Sequence, residues 1–229
     1  IKKNKNIKLK ILNTADKNST IFQQNIINCE TGSKLKIIEE FDYLNNTINN
    51  IFYSINSENN SKVEHNIIQE IKESNNLYFT SQATCNKKTL YNQYIFNFSD
   101  GFVRNFHYVD LEGSKSSASL KGCFFLKNKN LTSNKTYINH QTEKCESNQV
   151  YKGVLNDEAK ANYYSNTLVD KKAQKTEGYQ LSKGILLSDA SSYFSKPELR
   201  IYADDVKCSH GSTIGPIDES AMFYLRTRG

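Results

Sequence analysis

The chain has 229 residues, with 30 Lys and Arg against 24 Asp and Glu, and a formal net charge of +6 at pH 7. No apolar run approaches the roughly 20 residues that span a bilayer, so no membrane-spanning segment is predicted, and the 14 Tyr and 12 Phe argue against wholesale disorder. The lysines are scattered among asparagines without a block of five basic residues, so the charge does not predict nucleic-acid binding.

The chain opens on a mixture of Lys, Asn and Ile without a helical pattern, and we expect residues 1–19 to form an irregular lead-in. From about Thr20 onward, short β-rich runs alternate with Gly, Asn, Asp and Ser. The clearest runs are 33–41, 91–98, 102–110, 121–126, 149–155 and 198–206. Residues 63–73 could be drawn as a helix, but their β-branched content favours a strand.

Many short strands without long helices indicate a sandwich, a barrel or a solenoid. A turn residue followed by a strand recurs along the chain, which favours a solenoid even though no strict repeat is visible. We place this all-β core at residues 20–214. In residues 215–229, Asp218 is a candidate N-cap, and the apolar Ala221, Met222 and Leu225 after it predict the start of a C-terminal helix.

The cysteines do not predict a disulfide framework, because their number is odd and their spacing is irregular. They are Cys29, Cys85, Cys123, Cys145 and Cys208. Without a C-x-x-C motif a closed structural zinc site is not expected either, and a reducing compartment is favoured.

The most informative segment is 196–211. Leu199, Ile201 and Ala203 share one face of a strand, and the apolar phase then switches to Val206 and Cys208. Such a switch predicts a bulge or a corner at the two residues between, Asp204 and Asp205.

Cys208 and His210 are two residues apart, so on a strand they point the same way, with roughly 6.5–7 Å between their α-carbons. Thiolate and imidazole suit iron, zinc or copper, but two ligands do not close a site, and the others would come from another chain or from sulfide. Three alternatives remain open. Cys208 packs as a small hydrophobe while His210 caps a turn before Gly211; or the pair serves a hydrolase, with no third orienting group visible; or the chain is a metal-binding solenoid interaction module.

The remaining histidines give weaker signals. His140 and Cys145, five residues apart, are expected to lie in a loop. His65 and His107 are expected on strand surfaces.

The C-terminal part of the sequence resembles the SufD branch of the SufB/SufD family, which are scaffold subunits of SUF iron–sulfur cluster assembly. The resemblance is carried by KPELRIYADDVKCSHG and by the later DESAMFYLRTRG. Weaker similarity extends upstream through 147–155 and 173–176 to about residue 20. The stretch ADDVKCSHG is similar to SufD and unlike SufB.

The resemblance implies a right-handed parallel β-helix and a non-catalytic scaffold that pairs with SufB through the C-terminal end of that helix. It implies that Cys208 and His210 contribute ligands to a transient iron–sulfur cluster or iron site at the SufB interface, with none tightly bound to this chain alone. Asp204, Asp205 and Lys207 are expected at the corner or at the interface.

The resemblance also implies that the ATPase SufC binds a C-terminal helical domain. We expect most of that domain to be missing beyond Gly229. An uncapped solenoid end exposes strand edges, so a homodimer is expected in the isolated chain. The family and the Lys/Asn/Ile-rich composition indicate a plastid stroma of the apicoplast type, with a bacterial cytoplasm as the alternative.

Overall fold

The computed structural model describes residues 1–216 and 218–228, and nearly all of its regular structure is strand. The strands are β1 Asn6–Ala15, β2 Thr20–Cys29, β3 Lys34–Tyr43, β4 Ile48–Ser57, β5 Lys62–Gln69, β6 Asn76–Cys85, β7 Leu90–Asn97, β8 Phe102–Leu111, β9 Ser117–Leu126, β10 Leu131–His140, β11 Glu146–Leu155, β12 Lys160–Val169, β13 Thr176–Leu186, β14 Ser192–Ile201 and β15 Val206–Pro216. The one described helix is α1, Glu219–Thr227.

The strands form two parallel sheets. The odd-numbered strands make an eight-stranded sheet in the order β1-β3-β5-β7-β9-β11-β13-β15, and the even-numbered strands make a seven-stranded sheet. The chain therefore alternates between the sheets, with two strands per turn, and stacks about eight turns into a rod. The all-β solenoid prediction is confirmed.

The period-two alternation of the sequence explains why each strand forms. In β3, Leu35, Ile37 and Phe41 are buried between the sheets, while Lys36 and Glu40 face outward. The strands of the middle turns repeat this alternation, so their inward side chains stack into one core along the rod axis. We call the inward-facing side chains of a sheet its inner row.

The corners between strands use left-handed backbone. Positive φ angles occur at ten described non-glycine residues, and five of these are asparagines. Asparagine tolerates this conformation better than most residues. Corner side chains also bond one turn apart, as in Asn46 Nδ2 to Asn18 Oδ1 at 3.0 Å across 28 residues. Part of the asparagine excess is therefore used structurally.

Two boundaries differ from the sequence prediction. Residues 1–19 are not an irregular lead-in, because β1 forms over Asn6–Ala15 and pairs with β3. Its Ile7, Leu9 and Ile11 alternate with lysines, and the high lysine content makes this strand pattern hard to recognise. β1 is the first strand of its sheet and has a neighbouring strand on one edge only. The run 198–206 is also not one strand, because β14 ends at Ile201 and β15 begins at Val206.

Two other predictions are confirmed. The ambiguous run 63–73 contains β5, a strand. The Asp218 side chain caps α1 by accepting a hydrogen bond from the Ser220 backbone N–H at 2.8 Å. Ile217 and Gly229, parts of the predicted helical segment, lie outside the described residues, and so does the side chain of Ala221. The described part of the chain contains no helix with the length and hydropathy required to cross a bilayer.

Candidate metal or cluster site at the open end of the solenoid

The last turn of the rod consists of β14 and β15, which are the edge strands of the two sheets. Among the described residues no further strand covers them. Their inward-facing side chains are therefore uncovered on the side toward the end of the rod, and we call this surface the open end. On β15 it comprises Val206, Cys208, His210, Ser212 and Ile214, which stand in register with inward residues of β13.

Cys208 and His210 lie on the same side of β15, as their spacing predicts. Cys208 is half-buried and His210 is exposed. Burial raises the pKa of the Cys208 thiol, and a hydrogen bond from the Gly178 backbone N–H partly offsets this effect. The two side chains form no hydrogen bond with each other in the described structure.

The other three predicted site residues flank this pair. Asp204 and Asp205 lie in the corner between β14 and β15 and are exposed. The Asp205 backbone N–H donates to Gln174 Oε1 at 2.9 Å. Lys207 points outward, and its Nζ lies 3.1 Å from Glu177 Oε1. That hydrogen bond raises the pKa of Lys207.

The open end carries apolar side chains around the polar pair. Leu199, Val206 and Ile214 are half-buried, and Ile201 is 39% exposed. Their turn-by-turn equivalents deeper in the rod, such as Val169 beneath Ile201, are fully buried. The apolar core thus extends to the open end, where no further turn of the described chain packs on its last side chains.

The other histidines lie inside the rod, which corrects two predictions. His65 and His107 are not on strand surfaces, because both are fully buried. Their inward phase is visible in Val63, His65 and Ile67, which share one face of β5.

The loop prediction is correct for Cys145, which lies between β10 and β11, and wrong for His140. His140 is the buried last residue of β10, and its Nε2 lies 2.8 Å from Ser147 Oγ. Cys145 is buried at a turn, and its sulfur lies 3.3 Å from Ser116 Oγ. Burial lowers the pKa of His140 to about 4 and that of His107 to about 3, so both are neutral at pH 7.

A buried network that the sequence analysis missed surrounds Glu39. Its carboxylate lies 2.7 Å from His65 Nε2 and accepts hydrogen bonds from Tyr53 OH at 2.8 Å and Asn13 Nδ2 at 2.9 Å. Glu39 shares the phase of Ile37 and is fully buried, and that phase was the available signal. Because solvent does not reach it, this group resembles an active site in composition only.

The donor set at the open end is incomplete. The part of the chain that the structure describes holds no group of three or more His, Cys, Asp or Glu side chains able to bind a metal ion. Cys208 and His210 are nevertheless accessible, and a thiolate with an imidazole suits iron or an iron–sulfur cluster. The pair fits such a group if a second protein or sulfide supplies the remaining ligands.

Comparisons with known proteins place these residues in context. Residues 11–229 match the family described as SUF system FeS cluster assembly, SufBD core domain. The chain is 27% identical over 206 residues to the iron–sulfur cluster assembly protein SufD of Escherichia coli (strain K12), covering 86% of this chain and 47% of that protein.

Two other relatives extend the comparison. The chain is 27% identical over 246 residues to the SufD of Plasmodium falciparum, covering 100% of this chain and 16% of that protein. It is 56% identical over 34 residues to protein ABCI7, chloroplastic, of Arabidopsis thaliana, covering 15% of this chain and 7% of that protein. The chain thus spans about half the length of the bacterial relative and less of the other two.

Proposed function

Because the chain belongs to the SufBD core domain family of the SUF system for iron–sulfur cluster assembly, we propose that it is a non-catalytic scaffold subunit. It pairs with SufB through the open end of the solenoid. Cys208 and His210 then contribute ligands to an iron site or nascent iron–sulfur cluster that forms between the two subunits. The observation that carries this proposal is the soft-donor pair on an inner row that nothing in the described chain covers.

The open end supports pairing with a second solenoid. β14 and β15 each leave one edge of backbone N–H and C=O groups without a strand partner. Such an edge pairs readily with another strand. The interrupted apolar core around Ile201 and Val206 adds buried area when a partner covers it. Asp204, Asp205 and Lys207 lie at the rim of this contact, where charges select the partner more than they strengthen the complex.

The incomplete donor set supports a transient role. Two ligands from this chain hold iron weakly, and a complete tetrahedral shell needs further donors. Iron or the cluster is cargo that is assembled and passed on, so weak holding by one subunit suits the task. No cofactor is therefore bound tightly by this chain alone.

Two further parts of the proposal concern the setting of the protein. SufC associates through the helical region that begins with α1, where Phe223 is 71% and Leu225 is 63% exposed. The protein works in a plastid-type organelle, in keeping with relatives from Plasmodium and from the Arabidopsis chloroplast. The bacterial relative makes a bacterial cytoplasm the alternative.

The decisive experiment is anaerobic cluster reconstitution on the complex with SufB and SufC. His210→Ala and Cys208→Ser are expected to lower the iron and sulfide bound per complex several-fold. Cys123→Ser is the matched control, because Cys123 is a free and exposed thiol on the outer face of β9. Unchanged iron and sulfide in both site variants would refute the ligand assignment.

Light scattering tests the pairing surface separately. The isolated chain is expected to form a dimer through the open end. Ile201→Glu should shift it to monomer, whereas Ile26→Glu, on an exposed β2 residue at the opposite end, should not. A dimer that resists Ile201→Glu and dissociates with Ile26→Glu would place the contact at the wrong end of the rod.

A further inference from the structure

The two candidate ligands rest on a layer formed by the preceding turn. In the parallel register of β13 and β15, Gly178 lies beneath Cys208, and Gln180 lies beneath His210. Both are inner-row residues, and Gln180 is only 3% exposed. Gly178 and Gln180 are therefore two residues apart, like Cys208 and His210, and each lies directly beneath one of them.

Gly178 leaves room for the Cys208 thiol. A Cβ atom at position 178 would lie 3.3 Å from Cys208 Sγ, which is tighter than ordinary contact. Its other neighbours, Ser147 Oγ at 3.5 Å and Thr167 Cγ2 at 3.6 Å, would be at normal distances. The missing side chain thus leaves room for the sulfur close to the Gly178 backbone.

Gln180 presents an acceptor without a donor. Its Nε2 donates to Thr167 Oγ1 at 2.7 Å and to the Glu198 carbonyl at 3.2 Å. These two bonds occupy both amide hydrogens and fix which end of the amide is oxygen. Its Oε1 is buried and has no hydrogen-bond partner in the described structure. An unsatisfied buried acceptor destabilises the folded chain, so a donor at this point is favoured.

We propose that Gly178 and Gln180 are positioning residues for the site. Gly178 seats the Cys208 sulfur, and Gln180 Oε1 accepts the N–H of the His210 ring. That hydrogen bond holds one ring nitrogen as N–H and presents the lone pair of the other nitrogen at the open end. A hydrogen bond of this kind commonly orients histidine ligands of metals. The ligand role of Cys208 and His210 rests on the proposed function, whereas their positioning does not.

The histidine half is tested by the tautomer of neutral His210 in the metal-free chain, measured by long-range nitrogen–proton NMR. The wild type is expected to hold one tautomer, and Gln180→Leu should release it toward the mixture of a free imidazole. Gln180→Glu keeps an acceptor and should retain the bias. Gln149→Leu is the matched control, because Gln149 lies one turn deeper, in register with Gln180, and also donates to Thr167. An identical His210 tautomer ratio in wild type and Gln180→Leu would overturn the assignment of Gln180.

The cysteine half is tested by alkylation of the native chain with a small neutral reagent, read by mass spectrometry. Cys123, exposed on β9, provides the internal reference rate. Gly178→Ala should push Cys208 outward and raise its rate relative to Cys123 by about threefold or more. Gly211→Ala is the control, because a Cβ there meets only Leu181 Cδ1, at 3.6 Å. An unchanged ratio in Gly178→Ala would overturn the assignment of Gly178.

Cluster loading on the complex with SufB and SufC separates this inference from the proposed function. If both hold, Gln180→Leu and Gly178→Ala each lower iron loading, by no more than His210→Ala and Cys208→Ser do, while Gln149→Leu and Gly211→Ala leave it unchanged. If the NMR and alkylation results are as expected but His210→Ala leaves loading unchanged, the positioning stands and the ligand role fails. If His210→Ala abolishes loading but Gln180→Leu changes neither tautomer nor loading, the ligand role stands and the positioning by Gln180 fails.

Discussion

His65 and His210 occupy equivalent positions in the same sheet, yet their surroundings are opposite. They belong to one inner row, which runs Ile37, His65, Gln93, Leu120, Gln149, Gln180, His210. His65 is covered by turns on both sides, is fully buried and binds Glu39. His210 has a turn beneath it only and is exposed. Position along the rod, and not residue type or strand phase, decides which histidine can meet a ligand.

The largest expected difference is in stability. His65→Ala leaves the Glu39 carboxyl buried without its histidine, and removing one member of such a pair costs about 3–5 kcal/mol. His210→Ala removes an exposed side chain and only the one hydrogen bond proposed to Gln180, so it should lower the free energy of unfolding by about 0.5–1.5 kcal/mol. Urea denaturation followed by circular dichroism measures both. Equal losses in the free energy of unfolding for His65→Ala and His210→Ala would contradict the difference in burial between the two histidines.

The covered histidines should also make the protein sensitive to acid. The pKa of His140 is lowered to about 4, below its ordinary value of 6.5, and that of His107 to about 3. Between the ordinary pKa of 6.5 and the lowered pKa, the unfolded chain binds protons that the folded chain does not. The free energy of unfolding therefore falls as the pH drops from about 6.5 to about 4, by roughly 1.4 kcal/mol per pH unit for each histidine. His140→Gln should reduce the slope of unfolding free energy against pH over this range. An unaltered slope would show that His140 is not buried as a neutral side chain.

Glycines extend the comparison to packing. A Cβ at Gly153 would overlap the buried Phe124 ring, so Gly153→Ala overfills the covered interior and should cost about 1–3 kcal/mol. A Cβ at Gly215, on the last strand, would meet no atom within 4 Å, so Gly215→Ala should be close to neutral. Thermal unfolding midpoints distinguish them. A large loss at Gly215 would indicate that the last strand is covered in the isolated chain.

The smallest effect is expected for the exposed ion pair of Lys207 and Glu177. Lys207→Ala should leave the unfolding midpoint unchanged, because exposed pairs contribute little to stability. If the open end binds SufB, the same variant should slow association and weaken its salt dependence. Surface plasmon resonance at two ionic strengths provides the measurement, and unchanged association at both would remove Lys207 from the interface.

Much of the fold follows from local alternation that the sequence displays. Leu35 and Ile37 alternate with lysines, and this pattern predicts a strand over 33–41. The observed strand β3, Lys34–Tyr43, ends two residues later. The same alternation in Ile7, Leu9 and Ile11 gives a weaker signal, because lysine dominates the segment. The alternation that predicts a strand is therefore present in β1, but the many lysines make it hard to recognise.

Coverage, in contrast, is not a local property. Whether His65 is sealed depends on strands 28 residues before and after it, and the chain shows no strict repeat from which that stacking could be derived. The spacing of Cys208 and His210 predicted that they share a face, but the supporting roles of Gly178 and Gln180 depend on a register 30 residues distant. The family resemblance supplied the position of the open end, which spacing alone did not.

Left-handed corners recur one turn apart at Asn18 and Asn46, and at Asn4, Gly32 and Asn60, in the first turns of the rod. Each turn pairs in parallel register with the turn before it and the turn after it, so adding or removing one turn changes the length of the rod by one strand spacing. The molecule would lengthen or shorten in steps of about 4.8 Å. The length of the body is therefore set by how many turns are stacked.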